Sequence, residues 1–278
     1  MLGPGLIGGS LLKAVRKYSP SIELRAWARR EEAVEELRAS GSADFASTGI
    51  AEVVAGADLA ILCMPVGAMA DAVSDFPEAS PGERLLVTDV GSVKQSVVNS
   101  VESIVQKKGG SFIGSHPMAG SEKSGMEFAE AELFQEAPVI LTPGNSDGET
   151  LSQVSALTDF WESLGSRVSR MSPPEHDELV ASVSHLPHVV AAVLVNTILG
   201  ARSNAGQYAG GGFRDTTRIA GGHAGMWTGI LMENREAVLG QLNAFSSELE
   251  KWKEAIGKLD TDELRSFLTR ASSLREDS

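Results

Sequence analysis

The chain has 278 residues, of which 42% are hydrophobic and 22% charged, as in an ordinary folded protein with a sizeable core. The sequence has 24 Lys and Arg residues and 37 Asp and Glu residues, which gives a net charge of −13. This negative charge argues against nucleic acid or an anionic membrane surface as the main partner. The single cysteine, Cys63, excludes an internal disulfide framework and a Cys-rich zinc site, and it favours a reducing cytoplasm. We find no signal peptide and no apolar run of about 18 residues, so membrane insertion is not expected.

The chain opens on a glycine turn. Gly3, Gly5 and Gly8 match the Gly-x-Gly-x-x-Gly spacing, in which the glycines permit a tight turn, a close backbone approach to a pyrophosphate and close helix packing. Leu6 and Ile7 begin a stretch with apolar residues at helical spacing, so the amides and the dipole at the start of this helix would face the anion. The turn predicts a dinucleotide site, although glycine-rich starts also occur as flexible tails.

The segment before this turn is short. A nucleotide-binding turn follows a buried strand of about five residues, but only Met1 and Leu2 precede Gly3. Three explanations stay open: the chain is truncated, its start is assigned too far downstream, or the sheet closes without this strand and has a gap at its centre.

The loop after the next strand bears on the choice of cofactor. Residues 22–28 are predicted as a strand and 31–39 as a helix, and Arg29 and Arg30 lie between them. NAD sites usually place a carboxylate about 20 residues after the glycine turn, whereas NADP sites use arginine there. The pair therefore favours NADP over NAD, the alternative being that both arginines are solvated charges at a helix start.

Further strands follow in an alternating pattern. Residues 57–64 form a near-continuous apolar run, typical of a parallel strand buried on both faces, and 85–89 form a second. Met64, Pro65 and Val90 come at the ends of these strands, where open α/β sheets bind ligands. Further strands are predicted at 111–115, 139–142 and 167–171, with a helix at 149–164. The fold class predicted is α/β, a Rossmann-type doubly wound sheet with its first strand truncated.

The composition changes at a double proline, Pro173-Pro174, after which no convincing strand is found. We predict a dinucleotide-binding domain at 1–171 and an all-helical domain for substrate and dimerisation at 172–278. Its predicted helices are 180–199, 226–242, 245–256 and 261–271. Long apolar helices without a sheet often complete their core with a partner chain, so a homodimer is expected, with a closed monomeric bundle as the alternative.

Three polar clusters stand at positions suited to chemistry. His116 follows a predicted strand end, where a nicotinamide would lie, whereas His176 and His223 are interpreted as structural or surface residues. The second cluster opens the first long helix of the helical domain and contains His185 and His188. The third follows a run of glycines and contains Arg214 and Arg218.

At this point the sequence resembles the prephenate and arogenate dehydrogenase family of tyrosine biosynthesis. The resemblance rests on six segments in family order: GPGLIGGS (3–10), TDVGSVK (88–94), SHPMAGSE (115–122), SHLPH (184–188), FRDTTRIA (213–220) and MW (226–227). The chain departs from the family in its short first strand and in its end at residue 278, which leaves no room for the regulatory domain that some relatives append.

The resemblance implies that a cyclohexadienol with a ring carboxylate is oxidised, with hydride passing to the nicotinamide while CO2 leaves. His116 matches the catalytic histidine, which takes the proton of the 4-hydroxyl, and Ser92 matches the serine that binds the same hydroxyl and orients this histidine. Arg218 matches the arginine that binds a substrate carboxylate. Further substrate contacts are implied for His188, His185, Ser121, Glu122, Arg214 and Trp227. The active site is therefore expected in the cleft between the two domains.

Other interpretations stay open. The two arginines fit a helical surface, with Asp215 paired to one of them, and Ser92 fits a helix N-cap. A metal site at the histidine pair is not expected, because no carboxylate or cysteine cluster accompanies it.

A β-hydroxyacid dehydrogenase of the same layout would need a lysine base in the helical domain, and residues 172–250 contain no lysine. A non-catalytic nucleotide-binding fragment is a further alternative. The residues decide neither between prephenate and arogenate nor finally between NADP and NAD.

Overall fold

The computed structural model describes residues 1–78, 85–120, 123, 125–144 and 148–276. The chain divides into two compact units, Met1–Asn234 and Arg235–Ser278. The domain boundary predicted between residues 171 and 172 lies inside the first unit and stays a prediction.

The first unit contains all the strands of the described residues. They are β1 (Arg25–Trp27), β2 (Phe45–Ser47), β3 (Leu59–Leu62), β4 (Leu86–Asp89), β5 (Ser111–Phe112), β6 (Gly114–Pro117), β7 (Pro138–Thr142) and β8 (Arg167–Arg170). Its helices are α1 (Leu6–Tyr18), α2 (Glu31–Ala39), α3 (Ile50–Val54), α4 (Met69–Ser74), α5 (Gln95–Lys107), α6 (Gly148–Ser163), α7 (Pro173–Val180), α8 (Leu186–Ala201), α9 (Gly211–Thr217) and α10 (Ala224–Glu233). The second unit consists of α11 (Arg235–Gly257) and α12 (Thr261–Glu276).

Leu2 joins the two halves of the nucleotide-binding sheet. The parallel pair β1–β2 lies on one side and the parallel strands β3, β4 and β5 on the other. Leu2 makes parallel bridges to Trp27 of β1 and to Leu62 of β3, and it is fully buried. The order is therefore β2, β1, Leu2, β3, β4, β5, which is the doubly wound order with its central strand reduced to one bridge residue.

A cavity remains beside this short central segment. It has a volume of about 460 Å³ and is lined by the amino-terminal parts of β1 and β3 and by the residues before them. The α-amino group of Met1 lies at this end of the sheet and donates to the carbonyl oxygen of Arg25 at 2.8 Å. Burial lowers the pKa of this amino group to about 6. The centre of the sheet is thus closed where the glycine turn begins and open at the opposite end.

Helices cover both faces of this sheet. Because side chains alternate along a strand, Ile61 packs into one core and Leu62 into the other. The first core receives apolar residues from α1, α2 and α6, and the second receives them from α3, α4 and α5. This arrangement confirms the predicted Rossmann-type fold.

The single strand predicted at 111–115 is wrong, because the chain changes sheets there. β5 pairs parallel with β4, whereas β6 pairs antiparallel with β7, which in turn pairs parallel with β8. Gly114 stands at the change: a Cβ at this position would lie 2.5 Å from the hydroxyl oxygen of Thr142. Only glycine therefore allows the chain to pass so close to β7 as it leaves the first sheet.

A long helix follows the sheets. The helix predicted at 180–199 begins earlier, at Pro173, because Ser172 forms a capping box with Glu175. The chain then stays helical to Ala201 through a π-helical turn, Ala181–His185. In that turn the amide of Leu186 donates to the carbonyl oxygen of Ala181, five residues earlier, as in a π-helix. An α-helical bond from residue 187 to the carbonyl oxygen of Val183 cannot form, because Pro187 has no amide hydrogen.

The same helix corrects one expectation about membranes. The 29-residue stretch Pro173–Ala201 contains an 18-residue window of mean hydropathy 1.6, of which 28% is buried. By length and composition alone it is apolar enough to cross a membrane, so the statement that the chain has no apolar run of this length was wrong. The buried polar residues His176, Asp177, His185 and His188 also lie on it.

The helices after residue 223 break at a different place than predicted. α10 ends at Glu233 and α11 begins at Arg235, so the predicted break near residue 243 was wrong. In the second unit, Trp252 of α11 packs on Phe267 of α12 with ring centroids 5.3 Å apart. Asp260 caps α12 through a bond from the amide of Glu263 to its carboxylate at 2.9 Å.

Candidate active site

The glycine turn has the geometry of a phosphate site. Gly3 has φ +100°, and a Cβ there would lie 2.7 Å from the carbonyl oxygen of Cys63. A Cβ on Gly8 would lie 2.2 Å from the carbonyl oxygen of Gly3. A Cβ on Gly5 would meet only open space. Gly5 is also the N-cap of α1 and has no side chain to bond the first helical amides. These amides are therefore available to an anion, and the turn fits a dinucleotide pyrophosphate.

The other predicted cofactor residues lie around the same edge of the sheet. Arg29 and Arg30 follow β1 and are exposed, Met64 and Pro65 follow β3, and Val90 follows β4. Leu6 and Ile7 form the half-buried first turn of α1. Because these strands run parallel, their carboxyl ends meet at one edge, which is where this fold binds ligands.

His116 lies on β6, almost completely buried at 7% exposure. Its Nδ1 atom is 2.8 Å from Nε2 of His176 on α7. Burial lowers the pKa of His116 well below 6.5, and the nearby Lys94, His176 and His185 lower it further. The imidazole is therefore neutral at neutral pH, with one nitrogen engaged by His176.

Asp177 anchors the other side of His176. Its Oδ1 atom lies 2.7 Å from Nδ1 of His176. It also accepts bonds from the backbone amides of Lys94 at 2.8 Å and Gln95 at 2.9 Å. Burial acts to raise the pKa of Asp177, but the bonds from His176 and the two amides outweigh it and lower that pKa. The carboxylate is therefore ionised, and it connects α7 to the start of α5.

A buried ion pair fixes β6 to β4. Lys94 and Asp89 have fully buried side chains in direct contact. The ammonium also donates to the carbonyl oxygen of Ser115 at 2.8 Å, and the Ser115 hydroxyl donates to the carbonyl oxygen of Asp89 at 2.6 Å. Burial lowers the pKa of Lys94 and raises that of Asp89, and each partner opposes the shift of the other. The pair holds the residue before His116 in place.

The second histidine cluster packs against an indole. The ring of His188 stacks on Trp227 with centroids 3.5 Å apart and planes 11° apart, and His185 meets the same indole edge-on at 6.1 Å. Nδ2 of Asn234 is 3.2 Å from Nδ1 of His185, whose pKa is lowered to about 4, chiefly by burial. Nδ1 of His188 is buried and has no hydrogen-bond partner within the described part of the chain.

Three of the remaining predicted residues, Ser92, Arg214 and Arg218, lie on other segments of the first unit. Ser92 is half-buried in the loop after β4, and Nδ1 of His116 is bound by His176 rather than by Ser92. Arg214 is exposed on α9, and Arg218 is exposed at the start of the following short helix. Ser121 and Glu122 lie outside the described residues. The roles of all these residues stay predictions.

Sequence reasoning missed several of the residues that build this site, Asp89 and Asn234 among them. His176 was interpreted as structural, and Lys94 and Asp177 were not singled out. The available signals were a His-Asp pair just after a capped helix start and a lysine inside the segment 88–94. Within the described ranges, no group of three or more His, Cys, Asp or Glu side chains forms a metal site.

Comparison with known proteins gives the family. The family model for the prephenate dehydrogenase nucleotide-binding domain matches residues 11–170, and the model for the prephenate dehydrogenase dimerization domain matches residues 172–270. The cyclohexadienyl dehydrogenase of Zymomonas mobilis is 35% identical over 99% of this chain and 94% of its own length.

Solved structures agree with this result. The prephenate dehydrogenase of Aquifex aeolicus, in complex with hydroxyphenyl propionate and NAD+, is 33% identical with a TM-score of 0.89, over 99% of this chain and 96% of that one. The arogenate dehydrogenase of Synechocystis is 29% identical with a TM-score of 0.82, over 99% of this chain and 98% of that one. Together with the glycine turn and the buried histidine at the sheet edge, these matches show that the chain belongs to the prephenate dehydrogenase family, nicotinamide-dependent oxidoreductases of tyrosine biosynthesis.

Proposed function

We propose that this chain oxidatively decarboxylates prephenate or arogenate, as a cytoplasmic homodimer that prefers NADP. In this proposal residues 1–171 bind the dinucleotide, and residues 172–278 supply the substrate and subunit contacts. The observation that carries the proposal is His116: a buried imidazole with a lowered pKa, placed on the strand that enters the second sheet and in contact with the long helix. A neutral imidazole is what a general base requires.

The reaction needs one base and a means to orient the ring. A nicotinamide dinucleotide held at the glycine turn would supply the acceptor for the hydride that leaves the carbinol carbon of the substrate. His116 takes the proton of the 4-hydroxyl as the hydride leaves. Loss of CO2 then makes the ring aromatic and leaves a phenolate oxygen, to which the proton on His116 returns. Overall, the substrate and the oxidised cofactor are converted to a phenol, CO2 and the reduced cofactor, and no net proton is released.

The proposed substrate contacts come mainly from the segments after residue 184. The buried Nδ1 of His188 has no partner within the described residues, and an unsatisfied buried nitrogen is costly unless a ligand bonds it. We assign His188, with His185 and Trp227, to the wall of the substrate pocket. Arg218 binds a substrate carboxylate, with Arg214 beside it. Ser92 is assigned to the 4-hydroxyl, and Ser121 and Glu122 to the pocket, on the family resemblance alone.

The proposed preference for NADP rests on Arg29 and Arg30. Both are exposed at the end of β1, where a 2′-phosphate would lie, and the sequence has no carboxylate at these positions. A carboxylate would instead favour the ribose hydroxyl of NAD. Measured dissociation constants for NADP and NAD test this choice, since equal or weaker binding of NADP would refute it.

Four assays test the proposal as a whole. Purified protein is given prephenate or arogenate with NAD or NADP, and the absorbance of reduced nicotinamide is followed. Turnover in at least one assay is expected, and the pattern identifies substrate and cofactor together. If folded protein that binds a dinucleotide shows no turnover in any of the four assays, the proposed activity is overturned and a non-catalytic nucleotide-binding protein is favoured.

A further inference from the structure

Three buried side chains form a hydrogen-bonded row behind the proposed base. Nδ1 of His116 is 2.8 Å from Nε2 of His176, and Nδ1 of His176 is 2.7 Å from Oδ1 of Asp177. His176 has no exposed surface and Asp177 is 6% exposed. The proposed reaction assigns no role to His176 or Asp177.

With His176 in its neutral form, the protons in this row can be placed by elimination. Asp177 accepts two backbone amide bonds and is ionised, so it offers only acceptor atoms. Nδ1 of His176 must therefore carry a proton and donate it to Asp177. In a neutral His176, Nε2 then has a lone pair and can only accept. The bond to His116 consequently needs a proton on Nδ1 of His116.

This assignment determines which nitrogen of His116 is basic. A neutral imidazole protonated at Nδ1 has its lone pair at Nε2. If the proton sat on Nε2 instead, two lone pairs would face each other across the 2.8 Å between His116 and a neutral His176. The row therefore selects one tautomer of His116 and leaves Nε2 to accept the substrate proton.

We propose that His176, held by Asp177, is a positioning residue that keeps His116 in the tautomer with a basic Nε2 and supports it once it is protonated. When Nε2 of His116 accepts the proton, its ring becomes an imidazolium whose Nδ1 proton still bonds to His176. The negative charge of Asp177 lies directly behind that bond. The proposal rests on the proposed function, in which His116 is the base.

Two substitutions of His176 separate this role from simple packing. His176→Gln keeps an acceptor oxygen near the position of Nε2 but fills the space less well. His176→Phe keeps a ring of similar shape but offers no acceptor. We expect His176→Phe to lower kcat by about 100-fold, within the range for general base catalysis. KM and cofactor affinity should change little, and His176→Gln should stay within about tenfold of the wild type.

A packing role predicts the opposite order, because the aromatic ring preserves the buried contacts and glutamine does not. A kcat for His176→Phe equal to or above that of His176→Gln, with both proteins folded by thermal melting, would therefore overturn the proposal. The melting temperatures report the packing effect separately from turnover.

Nitrogen NMR of histidine-labelled protein tests the tautomer without turnover. In the wild type the proton of His116 should be on Nδ1, and in His176→Phe the Nε2-protonated form should become populated. A wild-type proton on Nε2 would refute the proposal even if the His176→Phe variant does not fold. If all four activity assays are silent, the proposed function fails while this spectrum still decides how the row is protonated.

Discussion

Four of the five histidines are buried, and burial lowers the pKa of three of them, His116, His185 and His188. For His116, burial is the largest cause of the lowered pKa, and the ammonium of Lys94 adds repulsion against a second positive charge. Since Lys94 also bonds the carbonyl of Ser115, the same side chain positions the proposed base and keeps it neutral. The structure thus couples the geometry of the base to its protonation state.

Replacing His116 tests its role as the base. His116→Asn should lower kcat by about two to four orders of magnitude, as expected for loss of a general base, and leave the dissociation constant of the cofactor nearly unchanged. The control is His223→Asn, since exposed His223 caps α10 through the amide of Met226 and asparagine is also a good N-cap. A comparable loss of kcat in the control would contradict the assignment.

The pH dependence of turnover follows from the same residue. The base must be neutral, so kcat/KM falls as the pH drops through the pKa of His116 in the free enzyme. Burial and the neighbouring Lys94, His176 and His185 place that pKa well below 6.5. We therefore expect kcat/KM to stay level from pH 7.5 to about 6.5 and to fall only at lower pH. An acid limb centred at or above pH 6.5 would refute this environment for His116.

At the scale of the elements, the glycine turn shows how one short segment serves both packing and binding. Gly3 and Gly8 are required by contacts within the protein, whereas Gly5 faces open space. The three glycines of one motif therefore differ in what a substitution would do.

Two alanine substitutions separate these roles. Gly8→Ala forces a Cβ against the carbonyl oxygen of Gly3 and should lower the melting temperature as well as cofactor affinity. Gly5→Ala has room in the protein, so its melting temperature should stay near that of the wild type. Its methyl group would stand where the backbone approaches a pyrophosphate, and the dissociation constant for the dinucleotide should rise at least tenfold. Unchanged affinity in Gly5→Ala would place the phosphates elsewhere.

At the scale of the whole molecule, exposed apolar residues mark the region that the dimerization model matches. Val183 and Val193 on the long helix and Met232 on α10 are exposed in the first unit. In the second unit Leu249 and Leu268 are also exposed. Such apolar surface is typical of an interface between subunits. It also offers an explanation for the high hydropathy of the long helix without a membrane.

Sedimentation should show a dimer that a charge in this region disrupts. Val193→Glu is expected to shift the protein toward monomer and to lower its melting temperature, because a carboxylate cannot be buried unpaired in an apolar interface. Tyr18→Glu is the matched control, since Tyr18 is also an exposed large residue but lies outside residues 172–270. A wild type that sediments as a monomer at micromolar concentration would contradict the proposed homodimer.

The sequence by itself determined the fold class, the family and many of the elements. The helix predicted at 31–39 is confirmed as Glu31–Ala39, and the parallel strands ending near Met64 and Asp89 are confirmed within a few residues. These features depend on local patterns: apolar periodicity, glycine spacing and residue types that follow strand ends. Such patterns act over a few residues and are visible in the sequence.

Only the tertiary structure decided how distant segments combine. The change of sheets at Gly114 depends on which strand lies beside β6, and the bridging role of Leu2 depends on the spacing of β1 and β3. His176 was predicted to be structural because its own neighbours give no sign of His116, which is 60 residues away in sequence but 2.8 Å away in space. A hydrogen bond between remote residues depends on packing of whole elements, which no local pattern contains.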